Sequence, residues 1–398
     1  MTATLRRTLM TASGALAMFG AQAAGAQLTI RLTGVPAGTA GDIYVAGSFN
    51  NWNPGDTAYR LRAEGGEYAI TLPAAVRGAV EFKFTRGSWE TVETGNGADG
   101  VSNRRFTVPE TGAVTYTGTV AAWRDPATAP RVASTAGPNV RIVDTAFAIP
   151  QLGRTRRVWI YLPPDYATSD KTYPVLYMHD GQNVFDAATS YAGEWGVDET
   201  LDSLHAAGDW GAIVVGVDNG EQRRLDEYSP WRNARMSMGG EGDAYVDFLV
   251  RTLKPWIDAR YRTRPGPEST GVAGSSMGGL ISLYALQKHP EVFGRAGVFS
   301  PAFWFGADSA FAYAQAAGGP RPGMRVYMVT GAQEGSEPAV YVRDHQRMVD
   351  ALVAAGFRPG AEVRAYVRAD GTHSEWFWRR EFPAAYRWLF ADGDDPCR

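Results

Sequence analysis

A serine set among glycines, a histidine far downstream and a carboxylate between them are the residues whose types and order can do acyl-transfer chemistry. Gly274-Ser275-Ser276-Met277-Gly278-Gly279 follows a short apolar run at 270–273 and precedes a helix-like run at 280–286. A strand, a G-x-S-x-G turn and a helix in that order make a nucleophile elbow. Such a turn is sharp and strained. Its glycines let neighbouring backbones come close, and the serine hydroxyl stands exposed above a sheet. Ser276 is the central serine, between Gly274 and Gly278, and Ser275 is the x of the motif.

A serine hydroxyl needs a base, and the base needs an orienting acid. In this chemistry on an α/β sheet, the chain order is serine, acid, histidine. His289 ends the elbow helix, too close to fold back, which leaves His345 and His373. His345 sits in a helix-like run with Arg343, Asp344, Gln346 and Arg347 and reads as a solvated helix residue. His373 follows the strand-like run 361–367 and a short loop, where a base belongs. The acid is expected after the strand-like run 324–330, where Glu334 is the first choice and Glu337 the second. Asp344 is helical and Asp370 too near the histidine. The oxyanion hole needs two backbone N–H groups. Met277, directly after the nucleophile, supplies one. The loop His179-Asp180-Gly181-Gln182-Asn183 supplies the other, with Gln182 as the donor and Gly181 permitting the turn. His179-Asp180 also reads as a metal pair, but no third ligand accompanies it.

These residues require a sheet to carry them. Apolar runs at 157–162, 174–178, 212–217, 296–299 and 325–329 are of the kind buried on both faces, with helical patterns at 243–261 and 344–355 between them. The alternation predicts an α/β class with a mostly parallel sheet and helices on both faces, over 140–398. Ahead of it, residues 27–120 read as all-β, with strands near 28–32, 42–45, 67–72, 80–84 and 113–119. Residues 121–139, rich in Ala, Pro, Thr and Ser, read as a linker. Residues 1–26 read as a cleaved export signal: Arg6 and Arg7, an apolar stretch from Leu9, and Ala24-Gly25-Ala26 for cleavage. The expected location is periplasmic or secreted, by the general export route or by a twin-arginine route.

Across 398 residues, 44% are hydrophobic and 20% charged, and the net charge is -3. That balance suits globular domains and gives no ground for a nucleic-acid partner or a polybasic membrane anchor. Beyond the first segment no run is long enough for stable membrane insertion. The single cysteine, Cys397, leaves stability to a packed core and provides no cysteine-rich metal site.

Taken together, the chain resembles the putative esterase family of α/β hydrolases, which includes esterase D, ferric enterobactin esterases and carbohydrate esterase family 1. The resemblance covers roughly 140–392. It rests on Val158-Trp159-Ile160-Tyr161-Leu162-Pro163-Pro164, Tyr177-Met178-His179-Asp180-Gly181-Gln182-Asn183, the elbow, Ser300-Pro301-Ala302-Phe303-Trp304, Gly331-Ala332-Gln333-Glu334 and Gly371-Thr372-His373. It implies an α/β-hydrolase fold and a serine esterase without a metal or organic cofactor. Many relatives have aspartate where this chain has Glu334. Val45-Ala46-Gly47-Ser48-Phe49-Asn50-Asn51-Trp52-Asn53, the run from Glu81 to Trp89, and Asn103-Arg104 resemble carbohydrate-binding modules of families 20 and 48. Those are small immunoglobulin-like sandwiches, which makes Trp52, Trp89 and Asn103 the candidates for sugar contact. A spacer role for the domain is the alternative.

Phe303 and Trp304 follow the strand after the elbow helix, so they lie on the edge that carries Ser276 and are expected to line an acyl pocket, with Trp195 and Trp376 as further walls. Arg223, Arg224 and Glu227 lie beyond another strand end and read as a structural ion pair rather than substrate contacts. The expected function is a serine esterase acting on feruloyl or acetyl esters of carbohydrate, with possible polysaccharide binding through the first domain. The alternatives are a siderophore trilactone esterase, an acyltransferase with a sugar acceptor, and a non-catalytic glycan-binding protein.

Overall fold

A computed structural model of the chain describes residues 27–95, 101, 103–124, 132–191, 193–335 and 337–390. The expected export signal and Cys397 lie outside the described residues. The chain divides into two compact units, 1–127 and 128–398.

The first unit is built from strands. Arg62–Glu64, Glu67–Thr71, Gln27–Gly34 and Ala113–Thr119 form one sheet in that spatial order, and Tyr44–Gly47, Gly78–Thr85 and Arg104–Val108 form another. Val80, Phe82 and Phe84 alternate inward along one strand, as a period of two requires, and meet Leu28, Ile30, Leu32 and Val45 in a single core. Asn50 staples the turn after Tyr44–Gly47. Its Oδ1 accepts from Gly47 N–H (2.8 Å) and its Nδ2 donates to the carbonyls of Val45 (3.1 Å) and Asn53 (3.3 Å). Buried Glu93 pairs with Arg104 (2.6 Å) and accepts from Phe84 N–H (2.9 Å).

The second unit carries an eight-stranded sheet: β1 (Val140–Ile149), β2 (Arg154–Tyr161), β3 (Val175–His179), β4 (Ile213–Val217), β5 (Thr270–Ser275), β6 (Arg295–Phe299), β7 (Arg325–Gly331) and β8 (Val363–Arg368). The spatial order is β1-β2-β4-β3-β5-β6-β7-β8. Only the β1–β2 and β2–β4 pairings are antiparallel. Every residue of β3, β4, β5 and β6 is buried, which accounts for the apolar character of their central residues. The fold is that of an α/β hydrolase, with the loops after β3, β5, β6, β7 and β8 gathered at one edge.

Two expectations need correction. The ends of the 121–139 segment are built into structure. Ala122–Trp123 pairs as a strand with Glu93–Thr94, and 134–139 is tied down by carboxylates. Ser134 Oγ donates to Asp186 (2.8 Å), Gly137 N–H to Asp198 (2.8 Å) and Asn139 Nδ2 to Asp202 (3.0 Å). Between them, 125–131 lies outside the described residues. The expected helix at 243–261 is not uniform either. Gly242–Phe248 and Lys254–Asp258 are α-helical, and Leu249–Leu253 between them is a π-turn. Pro255 has no N–H for the ladder and crowds the carbonyl four residues back, so a wider turn ahead of it relieves both problems. Among the described residues no helix is long and apolar enough to cross a membrane.

Candidate active site

The chain enters Ser276 from β5 and leaves it into the helix Met277–Lys288. Ser276 has φ 58 and ψ -120, a conformation an L-residue adopts only under local constraint. The constraint is visible. Ser276 N–H donates to Phe299 O (2.9 Å), and its own carbonyl accepts from Ala302 N–H (3.0 Å). A Cβ on Gly274 would stand 3.0 Å from Gly278 and from the His179 ring, and one on Gly278 would stand 3.3 Å from His179 Cβ. The glycines of the motif are therefore occupied by the β3 loop. Met277 opens the helix, so its N–H has no intrahelical acceptor and faces outward.

Glu334 lies in the loop after β7 and is fully buried. Its Oε2 stands 2.9 Å from His373 Nδ1. Its Oε1 accepts from Ser300 Oγ (2.5 Å) and from Gly331 N–H (2.5 Å). Ser300 in turn accepts from Trp378 Nε1 (2.8 Å), and the Trp378 ring meets the His373 imidazole edge-on at 5.3 Å. With Nδ1 committed to Glu334, the other ring nitrogen of His373 is left for chemistry. Gln333 N–H donates to Gly371 O (2.9 Å), and a side chain on Gly331 would collide with Gly371, so the acid loop and histidine loop close on each other.

Of the other sequence candidates, Glu337 is exposed, Asp344 pairs with Arg343 (2.8 Å), and exposed Asp370 pairs with Arg380. His345 is not solvated as expected. It is buried against β7, with Nδ1 2.8 Å from Thr330 Oγ1, and burial lowers its pKa to about 4. An amphipathic helix buries one face, and His345 falls on it.

In the β3 loop the left-handed residue is Asp180 (φ 57), and Gly181 starts a 3-10 turn, Gly181–Asn183. Gly181 is a glycine for a different reason. A Cβ there would lie 2.8 Å from the backbone of Gly216 and Val217 in β4. His179 and Asp180 do not face a common ligand. His179 Nδ1 is 2.9 Å from Tyr245 Oη, and burial lowers its pKa to about 4, leaving a neutral ring. Asp180 holds Arg224 through two bonds of 2.6 and 2.8 Å. Burial alone would raise its pKa, but the guanidinium overrides that and the pKa is lowered. Arg224 also donates to Ser275 O (3.3 Å), so this pair joins the β3 loop to the elbow. The expected ion pair therefore involves Asp180. Glu227 pairs separately with Arg154 (2.7 Å) and Arg156, and Arg223 with Asp226 (3.2 Å). Gln182 Oε1 accepts from Asn219 N–H (3.1 Å).

The four aromatic wall candidates split. Phe303 and Trp195 are buried in the packing, Phe303 against Phe311 and Trp195 against Phe299, Trp378 and Phe382. Trp304 is 37% exposed and Trp376 49%. Trp304 Nε1 donates to Tyr341 Oη (3.3 Å), and the Tyr341 ring lies 5.3 Å from His373. Tyr341 and Trp378 carry no motif that would single them out in the sequence, and Ser300, though it opens the run 300–304, shows nothing there of its bond to Glu334. In the first unit, Trp52 and Trp89 are half-buried, with ring centroids 6.2 Å apart, and Asn103 donates to Glu81 (3.0 Å).

Residues 149–389 match the family described as "Putative esterase". The protein YbbA of Bacillus subtilis is 27% identical over 245 residues, 59% of this chain and 92% of that one. The iron(III) enterobactin esterase of Dickeya dadantii is 32% identical over 263 residues, 62% of this chain but 54% of the relative. An α-amylase of Niallia circulans is 49% identical over 84 residues, 21% of this chain and 6% of the amylase. The chain thus spans about half of one of these relatives and a small part of another. The enterochelin esterase of Shigella flexneri shares the fold, with a TM-score of 0.52 at 17% identity over 88% of this chain and 87% of that one.

One further group stands beside His373. Glu375 opens the helix Glu375–Phe390 and is 7% exposed. Burial raises its pKa to about 7, against the opposing pull of its own N–H and of His373. A carboxyl whose folded pKa exceeds its unfolded 4.5 destabilises the fold as pH rises from 4.5 to about 7. That gap corresponds to roughly 3 kcal/mol above pH 7. Glu375→Gln should therefore melt several degrees above the wild type at pH 8 and together with it at pH 4, measured by thermal unfolding at both pH values. Equal melting at pH 8 would remove the assigned cost.

Proposed function

The chain belongs to the putative esterase family, a family of carboxylic ester hydrolases, and we propose that Ser276, His373 and Glu334 are its catalytic triad. The observation that carries this reading is the 2.9 Å contact between His373 Nδ1 and buried Glu334, in the loops that follow the elbow in serine–acid–histidine order. Ser276 Oγ attacks the ester carbonyl while His373 Nε2 takes its proton. Glu334 holds the imidazole in that tautomer and stabilises the imidazolium. The N–H groups of Met277 and Gln182, or Gly181, bind the developing oxyanion. Collapse expels the alcohol, which receives the proton from His373. Water, deprotonated by the same nitrogen, then releases the acid from the acyl-serine.

The substrate we propose is a feruloyl or acetyl ester of carbohydrate. The ring of Trp304, bonded to the Tyr341 that stands next to His373, and the ring of Trp376, bonded to Thr372, are open to solvent and offer faces to an aromatic acyl group or a sugar. A siderophore trilactone is the second reading, favoured by the 32% identity to an enterobactin esterase. For the first unit we propose polysaccharide binding by the Trp52–Trp89 pair, a reading supported by the 49% identity of an 84-residue stretch of the chain to an amylase. Asn103, whose Nδ2 donates to Glu81, is the third proposed contact. An export signal at 1–26 and a periplasmic or secreted location complete the proposal.

On p-nitrophenyl acetate, Ser276→Ala should lose about 10⁴-fold or more in kcat, and Glu334→Gln about 10²- to 10⁴-fold. Glu337→Gln should stay within about twofold of wild type, because that side chain is exposed. Activity retained by Ser276→Ala would overturn the assignment, and a larger loss in Glu337→Gln than in Glu334→Gln would move the acid. Trp52→Ala and Trp89→Ala should each weaken binding to amylose or xylan in affinity electrophoresis by about three- to tenfold. Unchanged mobility of wild type on every polysaccharide tried would leave the first unit a spacer.

A further inference from the structure

We propose that the cleft lined by Thr145, Thr155, Arg156, Arg157, Asp218 and Asn219 is a subsite for a neutral, hydroxyl-rich part of the substrate, such as a sugar ring. The proposal rests on the esterase reading above and adds the chemistry of a second contact region.

The cleft lies at the edge of the sheet that carries the catalytic loops. Asp218 and Asn219 directly follow β4, whose Val217 pairs with His179 at the end of β3. Two strand spacings, about 10 Å, separate β4 from the elbow strand β5. The cleft wall is fastened to the proposed oxyanion loop. Asn219 Nδ2 donates to Asp180 Oδ1 (2.7 Å), and Asn219 N–H donates to Gln182 Oε1 (3.1 Å). A substrate extending one or two rings from the reacting carbonyl would reach the Asp218–Asn219 wall, and the Thr155 and Thr145 walls, on β2 and β1, lie one and two spacings beyond it.

Its volume of about 480 Å³ suits a small ligand. Gly220 apart, every lining side chain can hydrogen-bond. The charges cancel. Arg157 pairs with Asp218 (2.9 Å) and Arg156 with buried Glu227. No net cation is left to select a carboxylate or phosphate, and no apolar wall to select a hydrocarbon. Paired ions with spare donor and acceptor sites suit hydroxyl groups, which both donate and accept.

The wall is also built to hold its shape. Trp159 Nε1 donates to Asp218 Oδ1 (2.8 Å), and the Arg157 guanidinium lies 4.6 Å over the Trp159 ring. A Cβ on Gly220 would stand 2.5 Å from Arg156 Nη2 and 2.6 Å from Glu227 Oε2. Glu221 takes a left-handed φ of 52, held by Asn219 Oδ1 accepting its N–H at 2.8 Å. A strained, fully braced loop is what a preorganised binding wall requires.

The test compares two acetyl esters, p-nitrophenyl acetate and acetylated xylo-oligosaccharide, and adds xylotriose as an inhibitor. In the full-length protein, Thr155→Trp fills the cleft. Thr145→Trp does so from the neighbouring strand, should the first variant fold poorly by thermal melting. The ratio of kcat/KM for the oligosaccharide ester to that for p-nitrophenyl acetate should fall at least tenfold, mainly through KM. Xylotriose should inhibit wild-type hydrolysis of p-nitrophenyl acetate competitively, with a Ki raised at least tenfold in the variant. Wild-type turnover of p-nitrophenyl acetate with no xylotriose inhibition, or with an unchanged ratio in a folded variant, would overturn the subsite while leaving the esterase reading intact. No turnover of either ester by wild type would overturn both.

Discussion

One buried carboxylate, Glu334, ties together three loops that are distant in sequence. Its Oε1 takes a hydrogen bond from Ser300 after β6 and another from Gly331 at the end of β7, and its Oε2 meets His373 after β8. Burying a carboxylate costs several kcal/mol unless donors surround it, and here three do. Remove the acid and the imidazole loses its orientation, Ser300 loses its acceptor and Trp378 loses the partner of its partner. The additional methylene of glutamate over aspartate has a structural use. The side chain turns back to the amide three residues earlier while still reaching the histidine.

A second buried pair does the corresponding work on the other side of the elbow. Asp180 and Arg224 hold the β3 loop against β5, with Arg224 reaching Ser275 O and Asn219 continuing the chain of bonds to Gln182. Breaking such a pair by removing one partner costs about 3–5 kcal/mol, because the other charge is left stranded. The strained Ser276 backbone is affordable only inside this frame. Its neighbours Gly274 and Gly278 are packed by His179, and its amide and carbonyl are bonded to Phe299 and Ala302. The proposed chemistry thus rests on two buried carboxylates, Glu334 beside the proposed base and Asp180 shaping the loop proposed to bind the oxyanion.

The parts of this arrangement that were legible in the sequence are those with a local pattern. Strand, glycine-flanked serine and helix define the elbow within a dozen residues. Unbroken apolar runs mark strands buried on both faces. Chain order and strand ends lead to Glu334 and His373, the proposed acid and base, which the structure brings to 2.9 Å. What was not legible depends on which way a side chain turns once the fold closes. Phe303 and Trp304 are adjacent, yet one enters the core and the other faces solvent, because the first turn of their helix fixes their directions. Arg223 and Arg224 are adjacent too, and only Arg224 reaches Asp180, after the left-handed Glu221 redirects the chain. His345 shares its neighbourhood with charged residues in sequence but its helix face with Met348 and Leu352 in space. Gly181 was legible as a necessary glycine, but the requirement comes from β4 packing rather than from its own backbone angle.

The central claim is that Ser276 alone is the activated nucleophile. It is tested most directly by treating the full-length protein with a fluorophosphonate and mapping the adduct by peptide mass spectrometry. The account predicts one stoichiometric adduct, on Ser276. An adduct on another residue, or none in a preparation that still hydrolyses esters, would contradict it.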